Sequence, residues 1–371
     1  MAELSRFYEA PTGAAGTHLA LAWRGRVRYT VPCEPAGQSA CWKVFQPGRL
    51  GIALRAMTSL PRLSGAVTCV ESAKLALVRE AIGNEAGLSS CRAGAAGPWS
   101  KDTVLLLDRA KNAPLFIVKA GGDGEVGGLL QNEASWLRTL REQAQLAAHI
   151  PELVAYHSGP DFSFVAQRAL SGDREFALGS AQFDFLRRLQ DYSQQTIKYE
   201  DTRLCRTLES RLGGLSGLLS AAWSERLHKS VQRISQSLSG KPAEFVAAHN
   251  DFTPWNIRIH QGVAKVFDWE YADYEQFPMF DALHFGLMPM ALRGRPTAEM
   301  VRKVHDTAAL CRATLGEVRC YDAETQALSY VINLCLLYLW AERGNTDSNQ
   351  VLESYARLID YKLQFDQAET A

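Results

Sequence analysis

The stretch His249-Asn250-Asp251-Phe252-Thr253-Pro254-Trp255-Asn256 leads through two strand-like runs, Ile257 to His260 and Val263 to Phe267, into Asp268-Trp269-Glu270. Reduced to chemistry, the order is His-x-Asp-x-x-x-x-Asn, a hairpin, then two apolar residues and an Asp. Such a set suits phosphoryl transfer, in which a protein mainly positions groups and neutralises charge. One carboxylate orients an acceptor hydroxyl and takes its proton, while an amide and a second carboxylate hold Mg²⁺ against the phosphates. Asp251, Asn256 and Asp268 are the candidates for those roles. The loop between Asp251 and Asn256 lets the first face an acceptor while the second turns toward a metal, and the hairpin returns the chain to deliver Asp268.

With these residues the sequence resembles the aminoglycoside phosphotransferase and choline kinase-like family, whose fold is related to that of protein kinases. HNDFTPWN and DWE stand where protein kinases carry H-R-D-x-x-x-x-N and D-F-G. The resemblance implies Asp251 as catalytic base, Asn256 and Asp268 as metal ligands, and His249 as a structural residue bracing the loop. It also implies that Asp281, in Met279-Phe280-Asp281-Ala282-Leu283, is the supporting Asp at the start of the next helix. A kinase-like fold further needs a strand Lys on the nucleotide phosphates and a helix Glu to fix it. Lys119 closes the apolar strand Phe116-Ile117-Val118, and Glu133 lies on the first turns of the following helix. Gln167 to Leu170, with Gln167 and Ala169 as contacts, would be the hinge where backbone groups meet adenine. The Gly94 to Gly97 turn would lie over the phosphates, although it lacks G-x-G-x-x-G. The implied cofactors are ATP and Mg²⁺, and the implied acceptor is a hydroxyl of a small molecule: a sugar, an amino alcohol or an aminoglycoside-like compound. The resemblance covers about residues 88 to 365.

Around this centre the chain reads as an α+β protein with a protein-kinase-like, bilobal fold. Residues 1–87 form an accessory region, with strand-like runs at Leu19 to Val31 and near Ala40 to Phe45 and an apolar run at Ala73 to Val78. Residues 88–172 form a small antiparallel β-rich nucleotide lobe, with strands Thr103 to Leu107, Leu115 to Val118, Leu153 to His157 and Phe162 to Leu170. Leu129 to Gln145 has apolar residues at helical period and supplies its helix. Residues 173–371 form a larger, mainly helical lobe, with helical period over 181–236 and 296–365, and the active site is expected in the cleft between the lobes. The first 85 residues contain Trp23 and Trp42 with strand-like runs, a composition that folds. They are expected to pack on the β-rich lobe and add strands to its sheet edge, or to form a small domain.

Composition bounds the alternatives. The 371 residues are 47% hydrophobic and 22% charged, with forty basic and forty acidic side chains, so whole-chain charge points to neither nucleic acid nor an anionic membrane. No apolar run reaches the length of a bilayer span and no secretory leader is read, so a cytoplasmic location is expected. Its eight cysteines lack metal-ligand spacing and read as buried free thiols. The histidines show no zinc-site spacing, and no glycine cluster precedes the Lys-Ser or Lys-Thr pair of a P-loop. Gly122-Asp123-Gly124-Glu125-Val126-Gly127 matches a dinucleotide fingerprint, but no alternation of strand and helix follows, so it reads as a loop joining strand to helix.

Substrate identity is not carried by the common motifs. The helical tracts hold Arg187, Arg188, Arg203, Arg206, Arg211, Arg226, Lys229 and Arg233, so a polycationic antibiotic is not an obvious ligand. Trp255, Tyr271 and Tyr274 could stack on a sugar or enclose a quaternary amine. The competing reading is a nucleotide-binding pseudokinase with a scaffolding or sensing role, against which stands the complete set Lys119, Glu133, Asp251, Asn256 and Asp268. Oligomeric state is left open by the sequence.

Overall fold

The structure, a computed structural model, describes residues 6–369 apart from 12–15, 25, 46–51, 53–55, 57–66, 84–85, 95–98, 109, 112, 123, 317–321 and 348, with backbone alone from 362 onward. It divides into two compact units, Met1–Glu142 with Pro151–Leu170, and Gln143–Ile150 with Ser171–Ala371.

The first unit is built on a nine-stranded sheet. Its strands are β1 (Tyr8–Glu9), β2 (His18–Trp23), β3 (Arg26–Pro32), β4 (Val67–Glu71), β5 (Ala86–Arg92), β6 (Asp102–Asp108), β7 (Pro114–Gly121), β8 (Leu153–Ser158) and β9 (Ser163–Arg168). The order is β1-β4-β2-β3-β5-β6-β7-β9-β8, and each neighbouring pair is antiparallel. The strands of the first 85 residues therefore continue the sheet that carries Lys119, joined through Tyr29 opposite Arg92 and Thr30 opposite Cys91.

β6 is buried on both faces, which explains its unbroken apolar run Val104-Leu105-Leu106-Leu107. Val104 and Leu106 share a core with Phe116, Val118, Leu75 and Val78, whereas Leu105 and Leu107 pack with Trp42, Cys41 and Phe45. Those last three belong to helix α1 (Pro35–Phe45), and Leu75 and Val78 to helix α2 (Ala73–Ala81). Ala40 to Phe45, expected as strand, is thus helical: Gly37, Cys41 and Phe45 are buried at a spacing of one helical turn, a period that a short apolar window conceals.

Helix α3 (Glu125–Arg141) follows β7 and buries Val126, Leu130, Glu133, Ala134, Leu137 and Leu140. Gly124 precedes it at φ 73°, a conformation that favours glycine. A Cβ on Gly121 would come within 2.0 Å of Val126, so close strand-to-helix packing accounts for part of the glycine-rich text there. β7, which leads into that loop, has antiparallel neighbours on both sides, unlike a dinucleotide-binding unit. Asp123 lies outside the described residues, as do residues 95–97 of the Gly94 to Gly97 turn.

The second unit is mainly helical, with α4 (Ser180–Ser193), α5 (Arg203–Gly214), α6 (Ala221–Leu238), α7 (Phe280–Ala291), α8 (Thr297–Leu315), α9 (Ala323–Ala341) and α10 (Gln350–Glu369). The tract expected as helix over 181–236 also holds a short strand, β10 (Gln195–Lys198), which pairs with β11 (Pro242–Ala248). β14 (Asp273–Gln276) pairs on the other edge of β11, and β12 (Ile257–His260) with β13 (Val263–Val266) forms the expected hairpin. α9 is apolar on almost every face because it runs through the core of this unit, with Tyr330, Ile332, Cys335 and Leu336 fully enclosed. Among the described residues no helix is long and apolar enough to cross a membrane. Six cysteines are buried and free as expected, but Cys33 is exposed, because it lies just past the end of β3; Cys320 is outside the described residues.

Candidate active site

In the first unit, Lys119 on β7 reaches Glu133 on α3, with Nζ 2.6 Å from Oε1. Both side chains are buried, and Glu133 is completely enclosed. Strand alternation sets this up: Val118 and Ala120 point to one core, so Lys119 points to the opposite face. Gln167 is buried on β9 opposite Ile117. Ala169 lies just past the strand, where its N–H donates to the Leu115 carbonyl at 3.0 Å. Any adenine contact at Ala169 therefore falls to its carbonyl and not to its N–H.

The second unit holds the HNDFTPWN loop between β11 and β12. Phe252 and Trp269 are its anchors: both are fully buried, and Phe252 stacks on Phe185 of α4 at 5.7 Å. His249 lies edge-on to Trp269 at 4.6 Å. Its Nε2–H donates to the Phe267 carbonyl at 3.0 Å, and its Nδ1 accepts the Asp251 N–H at 3.2 Å. Those partners fix a neutral imidazole, and burial pushes its pKa down to about 4. His249 thus ties the Asp251 end of the loop to the strand that delivers Asp268.

Asp281, in the first turn of α7, accepts the His249 N–H at 2.8 Å and the Asn250 N–H at 3.0 Å. Burial raises its carboxyl to about 6, against the pull of those two N–H groups and of His284. Asn250 is left-handed at φ 62°, a region that Asn tolerates, and its side-chain amide donates to the Tyr271 carbonyl at 2.8 Å.

Asp251 is the partly open member of the group, with 28% of its side chain accessible. Asn256 donates through Nδ2 to its Oδ2 at 2.7 Å and to its backbone carbonyl at 3.0 Å. Those bonds occupy the amide nitrogen of Asn256 and leave its side-chain carbonyl oxygen to ligate a cation. Asp268 sits at φ 74° at the head of the short turn Trp269–Tyr271, in the left-handed region that Asp enters more readily than bulkier residues. A carboxylate and an amide oxygen make an all-oxygen set that fits a hard cation such as Mg²⁺.

One contact involves a residue outside the set expected from the motifs. His284 of α7 lies 3.1 Å from Asp251 Oδ1 through Nε2. Its Nδ1 meets the Tyr330 hydroxyl at 3.3 Å, and Tyr330 meets the Tyr355 hydroxyl at 2.6 Å. A signal was present, because His284 falls one helical turn after Asp281 and so shares its face of α7. Tyr330 and Tyr355, on α9 and α10, had none.

The fold has solved relatives. A thermostable mutant of aminoglycoside phosphotransferase APH(4)-Ia in its apo form matches at a TM-score of 0.54 with 12% identity, over 78% of this chain and 98% of that one. The GDP complex of aminoglycoside 2'-phosphotransferase-IIIa matches at 0.53 with 13% identity, over 80% and 100%. A ternary complex of the APH(4)-Ia enzyme with ADP and hygromycin B matches at 0.53 with 11% identity, over 78% and 97%. At these identities the likeness is one of fold, the kinase-like α+β fold expected from the motifs. No curated protein matches the chain. The sequence model of the phosphotransferase enzyme family matches residues 90–310, which hold Lys119, Glu133 and the whole HNDFTPWN-to-Asp281 segment, and on that match over more than half its length the chain belongs to this family of phosphotransferases.

Proposed function

We propose that the protein is an ATP- and Mg²⁺-dependent kinase of a small hydroxylated molecule, with Asp251 as catalytic base. The observation that carries this reading is the arrangement on Asp251: a partly open carboxylate fixed from one side by Asn256 and from the other by His284. A carboxylate held this way can accept a hydrogen bond from an acceptor hydroxyl without first having to be oriented. As the acceptor oxygen forms its bond to the γ-phosphorus, the bond from that phosphorus to the β-bridging oxygen breaks. The electron pair leaves on ADP, and the hydroxyl proton passes to Asp251.

Asn256 and Asp268 would hold Mg²⁺, which supplies charge neutralisation on the phosphates when bound. Lys119 would contact the nucleotide phosphates while Glu133 keeps its ammonium in place, and Gln167 and Ala169 would border the adenine. His249 and Asp281 hold the backbone of the catalytic loop. A screen for transfer of labelled γ-phosphate from ATP to sugars, amino alcohols and aminoglycosides tests the reading, with Asp251→Asn as blank. Transfer to an acceptor by the native protein and none by the variant is the expected result. Transfer undiminished by Asp251→Asn would overturn the assignment.

A further inference from the structure

Helix α5 (Arg203–Gly214) buries Leu204, Cys205, Leu208 and Leu212. An amphipathic helix normally gives its other face to solvent. That face, carrying Arg203, Arg206, Thr207, Ser210 and Arg211, lines an open cavity of about 460 Å³ flanked by the partly exposed Trp340 of α9. Trp340 can lie against the helix because position 214 is glycine: a Cβ there would come within 2.4 Å of the indole ring.

The charges in this cavity are unevenly matched. Arg203 pairs with Asp273 at 3.1 Å, and its N–H also meets the Glu275 carboxylate. Arg206 donates to the Asp201 backbone carbonyl at 2.7 Å. Arg211 donates to the neutral Asn333 side chain at 3.1 Å. Among the described residues no carboxylate lies within ion-pair distance of Arg206 or Arg211, although Arg211 feels the field of Asp273. Arg211 is also half-buried, and desolvation lowers its pKa. A partly dehydrated guanidinium with one neutral hydrogen bond is an under-compensated charge, and its remaining N–H groups suit a bidentate oxyanion.

The strand that supplies Arg203 with its carboxylate partner also flanks the catalytic loop. Asp273 stands opposite Ala248 in the β11–β14 ladder, and Ala248 immediately precedes His249-Asn250-Asp251. Asn250 ties itself to Tyr271, two residues before Asp273.

We propose that this cavity binds the anionic group of the phosphate acceptor, so that the substrate is a hydroxylated carboxylate or phosphate ester whose ring rests on Trp340. The proposal rests on the kinase reading above and narrows its acceptor class. Arg206 and Arg211 engage the oxyanion, Thr207 and Ser210 add hydroxyl donors, and the indole offers an apolar face to a sugar-like ring. A polycationic acceptor would instead meet like charges that no carboxylate offsets at Arg206 and Arg211.

Isothermal titration of the full chain with glucose, glucuronate, glucose 6-phosphate and inorganic phosphate tests this. Glucuronate or glucose 6-phosphate should bind at least ten times more tightly than glucose, and whichever binds better identifies the anion as carboxylate or phosphate. The double substitution Arg206→Gln with Arg211→Gln should weaken the anionic probes at least tenfold. Ser210→Asp, at an exposed position that does not endanger folding, should do the same by repulsion. Trp340→Ala should weaken glucose 6-phosphate more than inorganic phosphate. Equal binding of glucose and the anions, absence of binding by any anion, or anion binding unaffected by Ser210→Asp would each overturn the proposal. MgATP binding, titrated separately, tells the two readings apart: its absence in the native protein defeats the kinase reading, whereas its presence without anion binding defeats only the pocket.

Discussion

His284 donates its Nε2–H to Asp251 Oδ1 at 3.1 Å from a side chain that is only 2% accessible. Its Nδ1 meets the Tyr330 hydroxyl, which in turn meets the hydroxyl of Tyr355. Three buried polar groups thus fix one oxygen of the proposed base, while Asn256 fixes the other. Such a chain orients the carboxylate and leaves it little freedom to relax. Replacing His284 by Gln should lower turnover about ten- to a hundredfold, the kinetic equivalent of a lost hydrogen bond to a charged group. Nucleotide affinity should stay unchanged, and Tyr330→Phe should have a weaker effect in the same direction. Steady-state turnover beside MgATP titration checks this, and a His284→Gln variant with native turnover would show the contact to be structural only.

Asp251→Asn should cut turnover by about 10²- to 10⁴-fold, the range for removing a general base. Because the side chain keeps its shape and Asn256 stays in place, nucleotide binding should persist. Single-turnover phosphate transfer separates the two effects, and the assignment fails if the variant turns over as the native protein does.

Asn256→Ala and Asp268→Ala should both weaken Mg²⁺-dependent ATP binding, since each removes a hard oxygen donor. Asn256→Ala has a second consequence, because it also frees Asp251 Oδ2. It should therefore lose more turnover than its loss of affinity explains. Calorimetry with and without Mg²⁺ is the measurement, and identical Mg²⁺ dependence in native and variant proteins would count against both ligands.

The Lys119–Glu133 pair leads to a stability prediction. Both partners are buried, so removing one takes from the other the opposite charge it meets at 2.6 Å, at a cost of about 3–5 kcal/mol. Lys119→Met and Glu133→Leu alone should each lower the melting temperature. The double variant should recover much of that loss while still failing to bind ATP normally. Thermal denaturation of all four proteins reads the cycle, and additive losses would show that the two side chains do not depend on each other.

A pH dependence follows from His249. Its folded pKa, about 4, lies below the ordinary value of 6.5, so between those limits the unfolded chain binds the extra proton. The contribution of His249 is complete above about pH 6.5 and is lost as pH falls through about 4. Asp281 works in the opposite sense, its carboxyl being raised to about 6, so native stability alone will hide part of the effect. The difference in unfolding free energy between the native protein and His249→Asn isolates it. That gap should narrow as denaturation is repeated from pH 7 down to pH 4, and a constant gap would refute a buried neutral imidazole.

Asp251, Asn256 and Asp268 could be located in the text because a few residues of chain connect them: a loop and a tight hairpin fix their relative positions through covalent geometry. Lys119 and Glu133 were legible for a related reason, each following from the local period of its own strand or helix. Ala40 to Phe45 was misread because a short apolar run carries too little period to choose between strand and helix, and the choice fell to Trp42 and Phe45 packing on the far face of β6. His284, Tyr330 and Tyr355 meet across α7, α9 and α10, and Arg211 meets Asn333 across α5 and α9. The sequence by itself determined which chemical groups stand within one loop or one turn of each other. Tertiary structure alone decided which distant polar groups share a buried site, because that depends on how whole helix faces are matched when their apolar sides leave water.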